Sequence, residues 1–254
     1  MTETIRVAKQ GGYSILTFDR GVANPMNLQM LEEIIASIKQ LSVDDSVKGL
    51  IINGKENFFT AGLDIPEIVS YDKEKTRYFW KCFLDMMGEI VAFPKPVISA
   101  ITGHSPAGGC IVAISSDYRI MAEGNYKIGL NEVAVGIIVP ETVYQLYASW
   151  IGNRKAYQYL MEGKLMNPSE ALEIGLVDRL IAPELVLEAA EAKMKQYLAF
   201  DQDTWKKSKY ALRKEYISAC VNYDEKILDK MIEHWYLPKT QAVLNGFVAR
   251  LKKK

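Results

Sequence analysis

Segments typical of strands and helices alternate through the first 180 residues, and this alternation leaves few folds open to the chain. Residues 28–41 carry apolar side chains at helical spacing, and the small residues of 108–115 also favour a helix. Strand-helix-strand succession of this kind predicts right-handed crossovers and a mostly parallel sheet, so we expect an α/β protein. The segments with strand character are Tyr13–Phe18, 47–52, 94–101, 118–121 and 177–181.

The pattern changes after Pro183, where helical segments follow one another without strands. They cover residues 185–198, 205–223, 224–235 and 240–251. We therefore expect an α/β core over residues 1–190 and a helical region over 191–254, packed on the core or on a neighbouring subunit. The region from Glu191 onward has 14 Lys and Arg against 8 Asp and Glu, which fits either a solvated helix face or an anion-binding edge.

Composition excludes several classes of protein. Apolar residues make up 49% of the 254 residues, which excludes a disordered chain. Lys and Arg number 31 and Asp and Glu 31, so the formal charge is zero and nucleic acid is not an expected partner. Cys82, Cys110 and Cys220 are scattered with no paired spacing, which predicts reduced core thiols and no metal site.

No targeting or membrane segment stands out in the sequence. The N-terminal residues lack the apolar stretch of a secretory signal, and no apolar run approaches the roughly 18 residues of a membrane span. The last three residues, 252–254, are lysines, which form neither a prenylation box nor a peroxisomal address. We expect a cytoplasmic protein without a membrane partner.

Residues 103–107, Gly-His-Ser-Pro-Ala, resemble the nucleophile elbow of serine hydrolases and lie between a strand and a helix. That motif uses the backbone N–H of the residue after the serine in its oxyanion hole. Pro106 follows Ser105 here and has no N–H to donate. The sequence therefore argues against a serine hydrolase.

Three other segments have features of an active site. Residues 58–65, Phe-Phe-Thr-Ala-Gly-Leu-Asp-Ile, form a loop after a strand, in which Ala-Gly permits a tight turn. The glycines of 105–110 open a helix, whose free N–H groups suit an oxyanion, although close packing would explain them equally well. Glu132 lies in an apolar stretch, where burial raises a carboxyl pKa and favours a general base; a partly exposed structural Glu is the alternative.

Taken together, these segments resemble the crotonase superfamily, also called the enoyl-CoA hydratase/isomerase superfamily, over nearly the whole chain. Within it, the motifs of 105–110, 117–122 and 128–132 are most similar to the mitochondrial-type Δ3,Δ2-enoyl-CoA isomerases. The resemblance implies a ββα-spiral core with a C-terminal helical trimerisation region. The motifs that carry it are 59–65, 95–100, 108–110, 117–120, 129–132 and 171–178.

The resemblance also implies roles for particular residues. The N–H groups of Leu63 and Gly108 would hold the thioester oxygen, and Glu132 would be the catalytic base. Hydratases have a second glutamate three residues after the position of Gly108, where this chain has Ile111. Adding water calls for two groups that position and activate it, whereas moving a double bond needs one base, so Ile111 favours isomerisation.

Further site residues follow from the same resemblance. Glu141 lies near the position of the base in peroxisomal-type isomerases and is a candidate second base, an accessory group or an exposed cap. His104 is expected to be structural. The residues expected to bind the substrate, with the last two at its CoA nucleotide, are Ala61, Gly62, Asp64, Ile65, Gly109, Ile111, Phe247 and Arg250.

The expected activity is isomerisation of a 3-enoyl-CoA to the trans-2-enoyl-CoA of unsaturated fatty acid oxidation, by proton transfer from C2 to C4. Coenzyme A is then part of the substrate, and no separate cofactor is expected. A hydratase or another acyl-CoA enzyme of the superfamily is one alternative, and a catalytically silent acyl-CoA-binding protein is the other. The resemblance also implies a homotrimer or homohexamer.

Overall fold

The computed structural model describes residues 3–251; Met1, Thr2 and the lysines at 252–254, on which the expectation about a C-terminal address rests, lie outside the described residues. The strands are β1 (Ile5–Gln10), β2 (Tyr13–Phe18), β3 (Leu50–Asn53), β4 (Asn57–Phe58), β5 (Val97–Ile101), β6 (Gly103–Pro106), β7 (Tyr118–Ala122), β8 (Ile128–Gly129) and β9 (Arg179–Ile181). The helices are α1 (Leu28–Val43), α2 (Ile65–Ile68), α3 (Lys73–Ala92), α4 (Gly108–Ser115), α5 (Glu141–Ile151), α6 (Asn153–Glu162), α7 (Pro168–Glu173), α8 (Val186–Leu198), α9 (Gln202–Val221), α10 (Lys226–Trp235) and α11 (Pro238–Leu251), with 3₁₀ turns at Val133–Val135 and Pro183–Leu185.

The strands form two sheets. The larger has the order β1-β2-β3-β5-β7-β9, with β1 antiparallel to β2 and every later pair parallel. The smaller has the order β4-β6-β8 and is parallel. This arrangement confirms the predicted α/β class and mostly parallel sheet.

The two sheets arise from a repeated ββ unit. Each of β3, β5 and β7 runs in the larger sheet and is followed within a few residues by a strand of the smaller sheet, namely β4, β6 and β8. The chain therefore winds as a spiral, with one strand in each sheet per turn. Since β4, β6 and β8 are parallel, the loops that follow them leave the smaller sheet at the same edge.

The apolar strands of the larger sheet are covered on both faces, as their continuous hydrophobicity predicts. Leu50 and Ile52 of β3 pack into the main core, while Ile51 between them faces a second cluster. In that second cluster, α8 contributes Val186 and Met194 against the sheet. The alternation along one strand thus places α8 on one face and the larger helical layer on the other.

Each predicted element is present in the structure, with differences near its ends; β3, for example, begins at Leu50 rather than at 47. The sequence prediction omits nine elements of the described chain, namely β1, β4, β6, β8, α2, α3, α5, α6 and α7. Helix α3 is the largest omission, although Asp72 caps it by accepting a hydrogen bond from the Lys75 N–H at 2.8 Å. Its buried face carries large aromatic side chains that become part of the site described below.

The C-terminal helices pack closely on the core. Lys209 on α9 donates a hydrogen bond of 2.7 Å to Asp117, which also accepts one of 3.1 Å from Arg213. Trp235 on α10 contacts the Trp80 ring at 5.7 Å between centroids. The predicted boundary after residue 190 falls inside α8, and the division into two regions stays a prediction. Among residues 3–251, every helix is too short or too polar to cross a membrane.

Candidate active site

A mostly apolar cavity of about 390 Å³ opens beside the edge where the loops after β4, β6 and β8 leave the smaller sheet. Glu132 is the one ionisable side chain among the described residues that line it. The predicted residues Leu63, Ala61, Ile65, Ile111 and Phe247 are part of the lining; the others are Trp80, Phe83, Pro106, Ala107, Asn131, Val135, Ile137, Ile138, Val139, Pro140, Val143, Leu165 and Leu251.

Glu132 follows β8 and directly precedes the 3₁₀ turn Val133–Val135. Its backbone carbonyl accepts hydrogen bonds from the N–H groups of Val135 at 3.0 Å and Ile137 at 2.9 Å, which hold the turn. The side chain is 7% exposed, and its Oε2 atom has no hydrogen-bond partner within residues 3–251. Burial raises its pKa from 4.5 to about 7, although backbone hydrogen bonds at Glu132 and Asn131 oppose the rise. Such a carboxyl group can accept and return a proton near neutral pH.

In the loop after β4, the backbone N–H of Leu63 has no acceptor among residues 3–251, whereas its neighbours are bonded. Met26 lies alongside as a parallel bridge partner, donating to the Gly62 carbonyl at 2.8 Å and accepting from the Asp64 N–H at 2.9 Å. Ala61 donates to the Ala23 carbonyl. The N–H of Gly62 is bonded to a threonine hydroxyl in the same loop. Among the described residues the Leu63 N–H has no acceptor, so it is available to a ligand.

The backbone N–H of Gly108, the first residue of α4, also has no acceptor in the part of the chain that the structure describes. Ala107 before it has φ 48° and ψ −117°, a conformation that L-residues rarely adopt, and donates to the Gly129 carbonyl at 2.8 Å. This turn from β6 into α4 sets the direction of the helix. The first N–H groups of a helix have no acceptor inside it and carry partial positive charge, which suits an oxyanion.

The two loops touch each other. A Cβ atom built on Gly62 would lie 3.7 Å from the Gly108 nitrogen, and one built on Gly108 would lie 3.2 Å from Leu63 Cδ2. The same Gly108 position is 2.5 Å from Met26 Cε, so a side chain there would displace its neighbours. The structure therefore brings the Leu63 and Gly108 backbones together, and Leu63 and Glu132 line the same cavity, although Gly108 itself is not part of the lining.

Ile111 lies one helical turn after Gly108 and lines the cavity with 2% exposure. The residue that favours isomerisation in the sequence is thus an apolar side chain in the cavity wall. The residue before Ile111 is Cys110, whose thiol is buried; burial raises its pKa well above 9. The cavity wall beside Glu132 is therefore uncharged on the α4 side.

Other predicted site residues lie outside the cavity lining. Glu141 is the first residue of α5, is exposed, and accepts a hydrogen bond of 3.0 Å from Gln145. Arg250 is exposed on α11. Gly62 and Gly109 shape the two loops, and Asp64 caps α2 by accepting from the Glu67 N–H at 3.1 Å. A catalytic role for Glu141 and a CoA contact for Arg250 both stay predictions.

The sequence prediction missed the aromatic wall of the cavity. Trp80 and Phe83 come from α3, and their rings pack edge to face at 5.9 Å. Leu165 and Val143 come from the region between β8 and α7. The helical spacing of aromatic residues along 73–92 was the available signal, but it indicates only a buried face and not which cavity that face lines.

The arrangement around Ser105 does not support a serine hydrolase. Ser105 is buried, and a Cβ on Gly109 would lie 2.8 Å from its Oγ atom. The one downstream histidine, His234, contacts Gly136 and Thr240 instead. His104 accepts a hydrogen bond from the Lys127 N–H at 3.2 Å and packs on Phe58, in a structural role. Within residues 3–251, no three His, Cys, Asp or Glu side chains are grouped so that they could bind a metal ion.

Comparison with known proteins agrees with this geometry. The family model described as enoyl-CoA hydratase/isomerase matches residues 8–252. Enoyl-CoA delta isomerase 1, mitochondrial, of Rattus norvegicus is 31% identical, over 98% of this chain and 88% of the relative. A probable enoyl-CoA hydratase of Mycobacterium avium is 29% identical, over 75% of this chain and 74% of the relative. The crystal structure of human mitochondrial delta3-delta2-enoyl-CoA isomerase superposes with a TM-score of 0.94 at 30% identity, covering 98% of both chains. The chain belongs to the enoyl-CoA hydratase/isomerase family.

Proposed function

We propose that the protein is a Δ3,Δ2-enoyl-CoA isomerase, which converts a 3-enoyl-CoA to the trans-2-enoyl-CoA of unsaturated fatty acid oxidation. The observation that carries the proposal is that, among the described residues, Glu132 has the one carboxyl group in the lining of a mostly apolar cavity, to which α4 contributes Ile111. The relatives named as delta isomerases support the same activity. An acyl-CoA substrate is what members of this family share.

The first step is removal of a proton from C2 of the substrate by the Glu132 carboxylate. The electrons of the C2–H bond then spread over C2, C3, C4 and the thioester oxygen, giving a dienolate. The N–H groups of Leu63 and Gly108 donate hydrogen bonds to that oxygen, whose negative charge is greatest in this state. Each donor of this kind contributes about 3 kcal/mol to transition-state stabilisation in enzymes where one has been removed.

The second step returns a proton from the neutral Glu132 carboxylic acid to C4. A double bond forms between C2 and C3, the thioester carbonyl is restored, and the base regains its charge. Glu132 suits both steps because a pKa of about 7 makes the group a competent acceptor and a competent donor near neutrality. The apolar cavity keeps water away from the dienolate, which favours protonation by Glu132.

Hydration requires a second group that positions the water added at C3. Among the described cavity residues, Ile111 and the aliphatic side chains beside it provide no such group. An active wild-type protein should therefore isomerise a 3-enoyl-CoA faster than it hydrates crotonyl-CoA. Both reactions are measured on the same sample by the absorbance of the 2-enoyl thioester, which isomerisation forms and hydration removes. Brisk hydration would contradict the proposal, and binding without either turnover would favour a silent acyl-CoA-binding protein.

We also propose that the protein assembles as a homotrimer or homohexamer through its C-terminal helices. Support comes from large apolar side chains left exposed near α9: Phe200 is 57% exposed and Leu212 82%. Together with Trp205 they border an apolar groove of about 720 Å³. Exposed apolar surface of this kind is typical of subunit contacts.

Two further sequence predictions carry over as proposals. The proton transfer described above needs no cofactor beyond the coenzyme A of the substrate. Activity retained after dialysis against a metal chelator would support this, and loss that returns with a divalent metal would contradict it. A cytoplasmic location is proposed on the sequence alone and is tested by fractionation of the source cells.

A further inference from the structure

Arg20 joins the two chain segments that place the Leu63 N–H. Its guanidinium donates through Nη1 to the Pro25 carbonyl and to Asp64 Oδ2, both at 2.7 Å. Through Nη2 it donates to Glu67 Oε2 at 2.8 Å. The side chain is 23% exposed, so these bonds are partly shielded from water. One planar guanidinium thus contacts three groups on two segments that are distant in sequence.

The groups that Arg20 contacts lie on both segments of the Met26–Leu63 bridge. Pro25 precedes Met26, and Asp64 follows Leu63. Arg20 therefore fixes the position of one segment relative to the other at the point where they pair. Its own N–H donates to Asn24 Oδ1 at 3.0 Å, which secures the turn that carries Arg20.

Glu67 extends this network. Besides Arg20, its carboxylate accepts hydrogen bonds from Asn27 Nδ2 at 3.1 Å and from the Tyr71 hydroxyl at 2.5 Å. Asn27 in turn caps α1 by accepting from the Met30 N–H at 3.1 Å. The Leu63 loop is thereby connected to the start of α1 and the end of α2 through bonds that converge near Arg20.

We propose that Arg20 is a positioning residue, which holds the Leu63 N–H in the direction needed to bind the thioester oxygen by tying Asp64 to the Pro25 carbonyl. The inference rests on the proposed function, because it assigns the Leu63 N–H to the substrate oxygen. Arg20 itself does not line the cavity. Its effect reaches the substrate only through the geometry of the loop, and misplacement by about 1 Å can reduce a rate roughly 100-fold.

The test compares the wild type with Arg20→Ala and Arg20→Lys. Butyryl-CoA is the probe for binding, with 12C or 13C at the thioester carbonyl, because it is saturated and has no double bond to move. Isotope-edited infrared difference spectra then isolate the carbonyl stretch of the bound thioester. Hydrogen bonds from Leu63 and Gly108 should move that stretch to lower frequency than in free butyryl-CoA.

We expect Arg20→Ala to lose much of this frequency shift, and its kcat for a 3-enoyl-CoA to fall roughly 10- to 100-fold, with a smaller change in KM. Lysine keeps the charge but not the planar fork, so Arg20→Lys should give an intermediate shift and rate. Arg6→Ala is the matched control: it removes an arginine of β1 that is 68% exposed and pairs with Asp19 at 2.9 Å, whereas Pro25, Asp64 and Glu67 are bonded to Arg20. The control should keep the wild-type stretch and rate.

Each outcome separates the two proposals. A shifted stretch in the wild type without isomerase turnover overturns the proposed function and leaves the Arg20 measurement valid. An unshifted stretch in the wild type shows that no amide binds the oxygen, and this overturns the role of Arg20 as well. A folded Arg20→Ala protein with the full wild-type shift and rate overturns the positioning role alone. If Arg20→Ala does not fold, Arg20→Lys takes its place: a lysine variant with the full wild-type shift and rate overturns the positioning role, and a reduced shift and rate support it.

Discussion

The imidazole Nε2 of His234 lies 3.2 Å from the backbone carbonyl oxygen of Gly136. A carbonyl oxygen only accepts hydrogen bonds, so Nε2 carries the proton and donates it, and the Thr240 hydroxyl at 3.3 Å can then serve only as a further acceptor. Gly136 ends the 3₁₀ turn that begins after Glu132. The C-terminal helices are thus bonded directly to the loop that holds the carboxyl group of the site.

Replacing His234 should therefore loosen that loop. We expect His234→Leu to lower the free energy of unfolding by about 1 kcal/mol, the usual net value of one hydrogen bond, and to lower kcat more than it raises KM. His234→Gln, which keeps an N–H donor, should retain more activity. Urea unfolding and steady-state kinetics of both variants test this, and equal loss in the two would contradict a role for the hydrogen bond.

Glu132→Gln should lower isomerase activity by roughly 100- to 10,000-fold, because the amide keeps the shape of the side chain but cannot accept the C2 proton. Binding of a saturated acyl-CoA should change little. Glu141→Gln is the matched control, since that carboxylate is exposed and bonded to Gln145, and it should retain most activity. A reversed ranking of the two variants would place the base at position 141.

The rate should depend on the ionisation of Glu132. Because its carboxylate is the active form and its pKa is raised to about 7, kcat/KM should rise tenfold per pH unit below 7 and level off above it. Burial raises the pKa values of Cys110 and Tyr147 as well, so those groups stay neutral over this range. A profile that is flat from pH 5.5 to 8.5 would contradict Glu132 as the base with this pKa.

Stability should show the opposite trend with pH. The folded-state pKa of Glu132 lies above that of the unfolded chain, so the folded protein holds its proton more tightly between about pH 4.5 and 7. That stabilisation is fully present below pH 4.5 and is lost as the pH rises through 7. Glu132→Gln should thus gain about 2–3 kcal/mol relative to wild type between pH 5 and 9, as measured by urea unfolding. If the two proteins differ in unfolding free energy by the same amount at pH 5 and at pH 9, the Glu132 carboxyl group ionises at its ordinary pKa.

The assembled protein should have a mass of three or six chains. Three chains of 28.7 kDa give about 86 kDa, which light scattering at micromolar concentration distinguishes from a monomer. Leu212→Glu places a charge in the exposed apolar groove and should shift the mass toward 28.7 kDa. An 86 kDa assembly unaffected by this change would locate the contact elsewhere.

The location of the candidate site was predictable from the sequence because local patterns indicate the segments that form it. A loop with Ala-Gly before Leu63, a helix opened by Gly108 and a carboxylate within an apolar stretch each leave a signal within a few residues. The parallel strands that precede them explain why such loops meet at one edge. The other strands of the larger sheet were predictable for a similar reason, since strands covered on both faces have continuous apolar runs, whereas the edge strand β1 is exposed along most of its length and was not predicted.

The supporting contacts were not predictable, because they join residues far apart in the chain. Arg20 and Glu67 are 47 positions apart, and His234 and Gly136 are 98 apart. Nothing in the local sequence indicates which carbonyl or carboxylate such a side chain will meet. The short strands β4 and β8 were not predicted for another reason: each has two residues, too few to show a hydrophobic period.

The ionisation of Glu132 also means that the class of ligand that the cavity binds depends on pH. Below pH 7 the carboxyl group is a neutral acid that can donate a hydrogen bond to a ligand in the mostly apolar cavity. Above pH 7 it is an anion that can only accept hydrogen bonds. A fragment screen at pH 5.5 should therefore enrich carbonyl and ether compounds, and the same library at pH 8.5 should enrich amines and amides. Crystals soaked at a single pH would therefore show ligands of only one of these two classes.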